Sequence, residues 1–105
     1  MPKKNVIVVN MNVLDKIRMW GNCVRLQRVR QHIRAEDLCQ RISISRPTLR
    51  RLEEGDPGVA ASTYLSALNV LGLLDRVAPE LEPSLYLGGE STRARSPFEA
   101  DDDFQ

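Results

Sequence analysis

The stretch "SISRPTLRRLEEGDPG", residues 43 to 58, puts Arg46, Arg50 and Arg51 within six positions. A guanidinium offers a planar fork of N–H donors with a permanent positive charge. That fork suits phosphate oxygens and the paired acceptors on a purine edge. The remaining reactive side chains point away from catalysis. The chain has one histidine, His32, and two cysteines, Cys23 and Cys39, with no Cys-x-x-Cys pair. A zinc site is therefore not expected. The sequence contains no glycine-rich phosphate loop and no nucleophile beside a plausible base. The expectation is no enzyme, no cofactor and no metal. Both cysteines lie in patterned apolar segments and read as buried free thiols.

Charge is divided along the chain. Residues 1–51 hold twelve Lys or Arg against three acids, and residues 52–105 hold three Arg against eleven acids. The net charge of +1 conceals a basic half suited to a polyanion and an acidic half with another task. At 105 residues there is chain for one modest core. The apolar run Val6-Ile7-Val8-Val9 is too short to span a bilayer or form a signal-peptide core, so a cytoplasmic protein without a membrane partner is expected.

The elements that must hold the arginines follow from pattern. "NVIVVN" reads as a short strand, within an N-terminal arm at 1–13. Such a strand must pair with "SLYL" (84–87) or with a second copy of the chain. A first helix is expected from about Leu14 to Gln31, softly interrupted at Gly21, with Val24, Leu26, Val29 and Ile33 as its apolar stripe. A second covers Ala35–Arg41. Ser45 is a good N-cap for a third, Arg46–Glu54, where Pro47 is tolerated in the first turn and Gly55 ends it. "GDPG" is a turn. A fourth helix runs from Ala61 to Leu71 and a short fifth lies in "LLDRVA". Trp20 is expected as a core or interface anchor, Tyr64 in the core with its hydroxyl in water, and His32 at an exposed helix end. Residues 79–105 form an extension ending in a flexible acidic tail, "FEADDDFQ".

Two short helices joined by a tight turn make a helix-turn-helix. Cys39 is small enough to let the next helix cross, and Ser43 suits the turn. If Leu49 and Leu52 face inward, Arg46, Arg50 and Arg51 face out. Residues 21–74, and above all "SRPTLRRLEEGDPGV" followed by "TYLSALNVLGL", resemble the five-helix DNA-binding domain of the Cro/C1-type (XRE) repressors. The "GDPGV" variant resembles HipB-type antitoxins. The fold so implied is all-α and lambda-repressor-like, with the helical domain at 14–78.

The resemblance carries roles onto particular residues. It implies base-edge contacts for Arg46 and Arg51 and a base or phosphate contact for Arg50. Ser45 and Thr48 fall at hydroxyl positions near phosphate or a thymine methyl, and Pro47 offers only apolar contact. Arg34 joins this DNA-binding set. Arg28 and Glu53 are implied as an ion pair tying the first helix to the third. Ala60 stands where relatives often carry a serine cap. The implied function is a sequence-specific repressor, a homodimer on a palindromic operator, serving as antitoxin and autoregulator beside a HipA-like kinase toxin. Phe98, Asp101, Asp102, Asp103 and Phe104 of the tail are the expected partner contacts. Two other functions fit the fold: a stand-alone phage-type repressor, and a protein-interaction adaptor that binds no DNA.

Overall fold

The computed structural model describes residues 8–88. Five helices follow in order: α1 Met11–Arg30, α2 Ala35–Ile42, α3 Arg46–Glu53, α4 Ala61–Val70 and α5 Leu74–Val77. A single 3₁₀ turn, Pro83–Leu85, comes last. No helix among the described residues is long and apolar enough to cross a membrane.

The described residues contain no strand. Of the expected N-terminal strand, residues 5–7 lie outside the described part, and Val8 to Asn10 have no regular structure. Asn10 explains why. Its side-chain oxygen accepts the backbone N–H of Asn12 at 2.7 Å, so the asparagine expected to end a strand instead caps α1. The helix consequently begins three residues before Leu14. "SLYL" is likewise not a strand: Pro83 opens a 3₁₀ turn closed by Leu85 N–H on the carbonyl of Glu82. The acidic tail lies outside the described residues.

The core is built where helical spacing turns leucines inward. Val24, Leu38, Leu49, Leu52, Tyr64, Ala67, Leu68 and Leu71 are buried together with Cys39, Val59 and Leu73. Each fully buried leucine contributes roughly 1.5–3 kcal/mol. α1 packs on α3 and α4, and α2 on the same two helices. The expected stripe on α1 needs correction. Val24 is buried, but Leu26 and Val29 are exposed and Ile33 is half-buried beyond the helix end. At 3.6 residues per turn, Ile17, Gly21, Val24 and Arg28 share one side, and Leu26 falls on the opposite one.

Gly21 does not interrupt α1. The helix runs straight through it, because the glycine lets α1 touch backbone at the end of α3. A Cβ there would stand 2.9 Å from Gly55 N and 3.0 Å from Glu53 O, and would meet the carbonyl of Leu52.

The four longer helices end alike. In each, a left-handed residue follows the helix: His32 at φ 58°, Ser43 at 56°, Gly55 at 79° and Gly72 at 77°. The next N–H reaches back five residues in each case: Ile33 to Arg28, Ile44 to Cys39, Asp56 to Arg51 and Leu73 to Leu68. This closure satisfies carbonyls left open at a helix end and turns the chain sharply. It is what gives α2 and α3 their tight crossing.

Candidate nucleic-acid interface

α3 is fixed from beneath and from both ends. Leu49 and Leu52 sink into the core. Ser45 caps the N-terminus, its hydroxyl accepting the N–H of Thr48 at 3.3 Å and donating to the Thr48 hydroxyl at 3.0 Å. Pro47 sits in the first turn, where no N–H is required. At the far end, Glu53 meets Arg28 of α1. Arg28 Nε donates to Glu53 Oε2 at 2.8 Å and Nη2 to Oε1 at 3.3 Å, a two-pronged contact between side chains only 15% and 11% exposed. Arg28 Nη1 also donates to the Ile33 carbonyl at 3.1 Å, holding the chain as it leaves α1. One side chain thus ties together the end of α1, the lead into α2 and the last turn of α3.

With Leu49 and Leu52 turned into the core and Glu53 held by Arg28, the side chains of Arg46, Pro47, Arg50 and Arg51 remain exposed. They line one shallow concavity with Ala35, Leu49, Arg28 and Glu53. Arg46 and Arg51 are not isolated. Arg46 Nη1 lies 3.6 Å from Glu36 Oε1, and Arg51 Nε lies 3.6 Å from Asp56 Oδ2. Side-chain exposure is 63% and 58% in the first pair, 52% and 36% in the second. Arg34 precedes α2, with Nη2 3.8 Å from Glu36 and Nε 3.7 Å from Asp37. Glu36 is thus shared between Arg34 and Arg46. Thr48 is half-buried, and its hydroxyl is engaged by Ser45. Phe98, Asp101, Asp102, Asp103 and Phe104 lie outside the described residues.

Sequence reasoning missed three supports. Asp56 is a hinge of the site: its Oδ1 accepts the N–H of Gly58 at 2.7 Å, its carbonyl accepts the Tyr64 hydroxyl at 2.8 Å, and its other oxygen faces Arg51. Tyr64 is therefore not wet at its tip. Burial, with the Asp56 charge adding to it, pushes its phenol up to about 12. Trp20, half-buried, tilts against that ring with centroids 6.0 Å apart, which makes it a core anchor. Gln31 donates from Nε2 to the Leu71 carbonyl at 2.9 Å and joins the ends of α1 and α4. Glu36 gave a signal only as an acid in the first turn of α2, where it favours the helix dipole. Its reach to Arg46 depends on the turn at Ser43.

Cys39 is a buried free thiol and Cys23 a half-buried one. Burial raises the Cys39 thiol pKa, with Arg46 pulling the other way. Ala60 carries no side-chain bond at the start of α4, so nothing but its backbone closes that end.

Among curated proteins and among solved structures, no relative matches the chain. A family model described as a helix-turn-helix domain matches residues 21–81, from the glycine where α1 crosses α3 to the segment beyond α5. That span is more than half of the sequence, and it holds α2, the Ser43 turn and the arginine face of α3; the chain belongs to the helix-turn-helix domain family, of the XRE-like type.

Proposed function

We propose that the protein is a sequence-specific transcriptional repressor that reads DNA with the exposed face of α3. The observation that carries this is geometric. Burial of Leu49 and Leu52 and the Arg28–Glu53 pair leave Arg46, Arg50 and Arg51 exposed along α3, Arg46 in its first turn and Arg50 and Arg51 in its last, on the helix that such domains insert in the major groove. Arginine pairs with guanine O6 and N7 through two parallel donors, and Pro47 contributes no polar reading. Half-sites containing guanine are the expected targets. Selection of bound duplexes from a random pool tests this. A DNA reader also loses affinity steeply with salt as counterions return to the phosphates. An adaptor that only reuses the fold would bind no duplex even at low salt.

The repressor works as a homodimer on a palindromic site, doubling its contacts across two half-sites. Leu81, Leu85, Tyr86 and Leu87 support that assembly: they are all exposed and lie close together in the segment after α5. Exposed apolar groups gathered in one short segment are a natural place for a protein contact. Replacing Leu81, Leu85 and Leu87 together by serine should yield a monomer in a size measurement. An unchanged dimer would move the interface elsewhere.

The likeness of "GDPGV" to HipB-type antitoxins extends the reading to a partner. The protein would restrain a HipA-like kinase toxin and repress the operon of both. Its tail, from Phe98 through Asp101, Asp102 and Asp103 to Phe104, would fold onto a basic surface of that kinase. A kinase reading frame beside this one would support the partner. A pull-down comparing the full chain with one ending at Arg95 tests the tail, and equal recovery removes its role.

A further inference from the structure

Two of the three reading arginines face carboxylates of their own chain. Glu36, in the first turn of α2, lies between Arg34 and Arg46 at 3.8 and 3.6 Å. Asp56, in the turn after α3, stands 3.6 Å from Arg51 and is locked in place by the Gly58 N–H. Arg50 carries no ion pair among the described residues. We propose that Glu36 and Asp56 are built-in competitors that set how selectively this face reads DNA. In the free protein Glu36 holds Arg46, along with Arg34, and Asp56 holds Arg51, and each carboxylate must be displaced from its reading arginine when DNA binds. The inference rests on the DNA-reading function above and names residues that tune it.

The physical argument is one of exchange. At 3.6 Å and half-exposed, these pairs are too long for strong hydrogen bonds and are largely screened, so they are weak enough to yield. A phosphate offers an arginine charge and little else. Swapping Glu36 for phosphate therefore gains little, and the displaced carboxylate then repels the phosphate. A guanine edge offers two neutral acceptors in fork geometry. It fits the guanidinium without the same repulsion from the carboxylate nearby. The penalty thus falls mainly on sequence-independent binding. Arg50 is left as the standing phosphate anchor, while Arg46 and Arg51 are released by a matching base pair.

Full-length wild type, E36Q, D56N and D75N should be titrated with a random-sequence duplex and with a duplex selected by the wild type, across a range of salt. The D56N side chain retains an oxygen acceptor for the Gly58 N–H. Asp75 is an exposed acid of α5 and controls for net charge. E36Q and D56N should each bind random duplex about three- to tenfold tighter at low salt, with a log–log salt slope steeper by up to about one. Affinity for the selected duplex should rise less, so selectivity falls. D75N should stay within about twofold of wild type, since its charge lies off the face. Equal behaviour of E36Q, D56N and D75N overturns the competitor role while leaving DNA reading intact. No binding of either duplex by wild type at low salt overturns both. In the free protein, the arginine side-chain N–H resonances, Nη for Arg46 and Nε for Arg51, give a reading independent of DNA. E36Q should shift Arg46, D56N should shift Arg51, and the absence of both shifts also overturns the proposal.

Discussion

The same pair of groups, guanidinium and carboxylate, occurs around α3 at two depths, an inner and an outer, with opposite consequences. On the inner side, Arg28 grips Glu53 through two donors at 2.8 and 3.3 Å, nearly out of water. On the outer side, Arg46–Glu36 and Arg51–Asp56 stand at 3.6 Å in water. Burial removes the alternative partner, so the inner arginine has nowhere else to go. Exposure supplies alternatives, so the outer arginines are free to change partner. An arginine's role here is set less by its type than by what else its fork can reach.

That contrast breaks most sharply at Glu53. Removing one member of a part-buried pair strands the other, and Glu53→Ala should cost about 3–5 kcal/mol of unfolding free energy. Glu36→Ala, on the outer side, should change it by less than about 0.5 kcal/mol. Urea unfolding of the two variants measures both. Similar losses would mean that burial does not separate the two kinds of pair.

Asp56 belongs to both sides: its carboxylate meets Arg51 outside, and its carbonyl takes the Tyr64 hydroxyl inside. The phenol has a pKa raised from 10 to about 12, by burial first and by Asp56 second. Folding therefore favours the protonated phenol. Its contribution is fully present below pH 10 and is lost as pH rises from 10 towards 12. Over that window the loss should reach about 2–3 kcal/mol. Cys39, whose thiol pKa is also raised, titrates on the alkaline side too, so the difference between wild type and Tyr64→Phe isolates the phenol. A variant with the same alkaline slope as wild type would place the titration elsewhere.

On the outer side the expected effect is on recognition. Arg51→Ala should lose about 1–3 kcal/mol against the preferred base while leaving thermal stability near wild type. Binding to a panel of single-base variants distinguishes the roles. A loss confined to one position marks a base contact. A uniform loss makes Arg51 a phosphate contact, and the outer face would then be less divided by task than its geometry suggests.

What the sequence made legible was periodicity and punctuation. Leu38, Leu49, Leu52, Tyr64 and Leu68 repeat at helical spacing and are all buried. Ser45 and Gly55 mark the two ends of α3, and both do so in the structure. The failures have a common cause. Asn10 looks the same at the end of a strand and at the start of a helix until the N–H it binds is known. Leu26 and Val29 extend a plausible stripe, yet they turn away from the core because Gly21 fixes which side of α1 lies against α3. Glu36, Asp56 and Gln31 act across turns, at separations set by tertiary packing rather than by any local repeat. The arginine face was legible because it is the complement of a buried stripe. Its carboxylate partners were not, because they come from neighbouring elements.

The smallest expected effect concerns the turns that hold the two sides in register. Gly55 and Ser43 both adopt the left-handed conformation, but only Gly55 must be glycine on steric grounds. A Cβ at Gly55 would lie 2.6 Å from Arg18 Cα. Ser43 is exposed and has its Cβ already, paying for φ 56° with local strain. Ser43→Gly relieves that strain and loses some ground to the freer unfolded chain, for a net gain of about 0.5–1 kcal/mol. That corresponds to a melting temperature higher by roughly 2–8 °C in a domain of this size. The turn is left with its backbone bonds, Ile44 N–H on the Cys39 carbonyl, so the arginine face should read DNA unchanged. If the variant melts lower instead, Ser43 is doing something in the turn besides tolerating its angle, and the crossing of α2 and α3 depends on its hydroxyl.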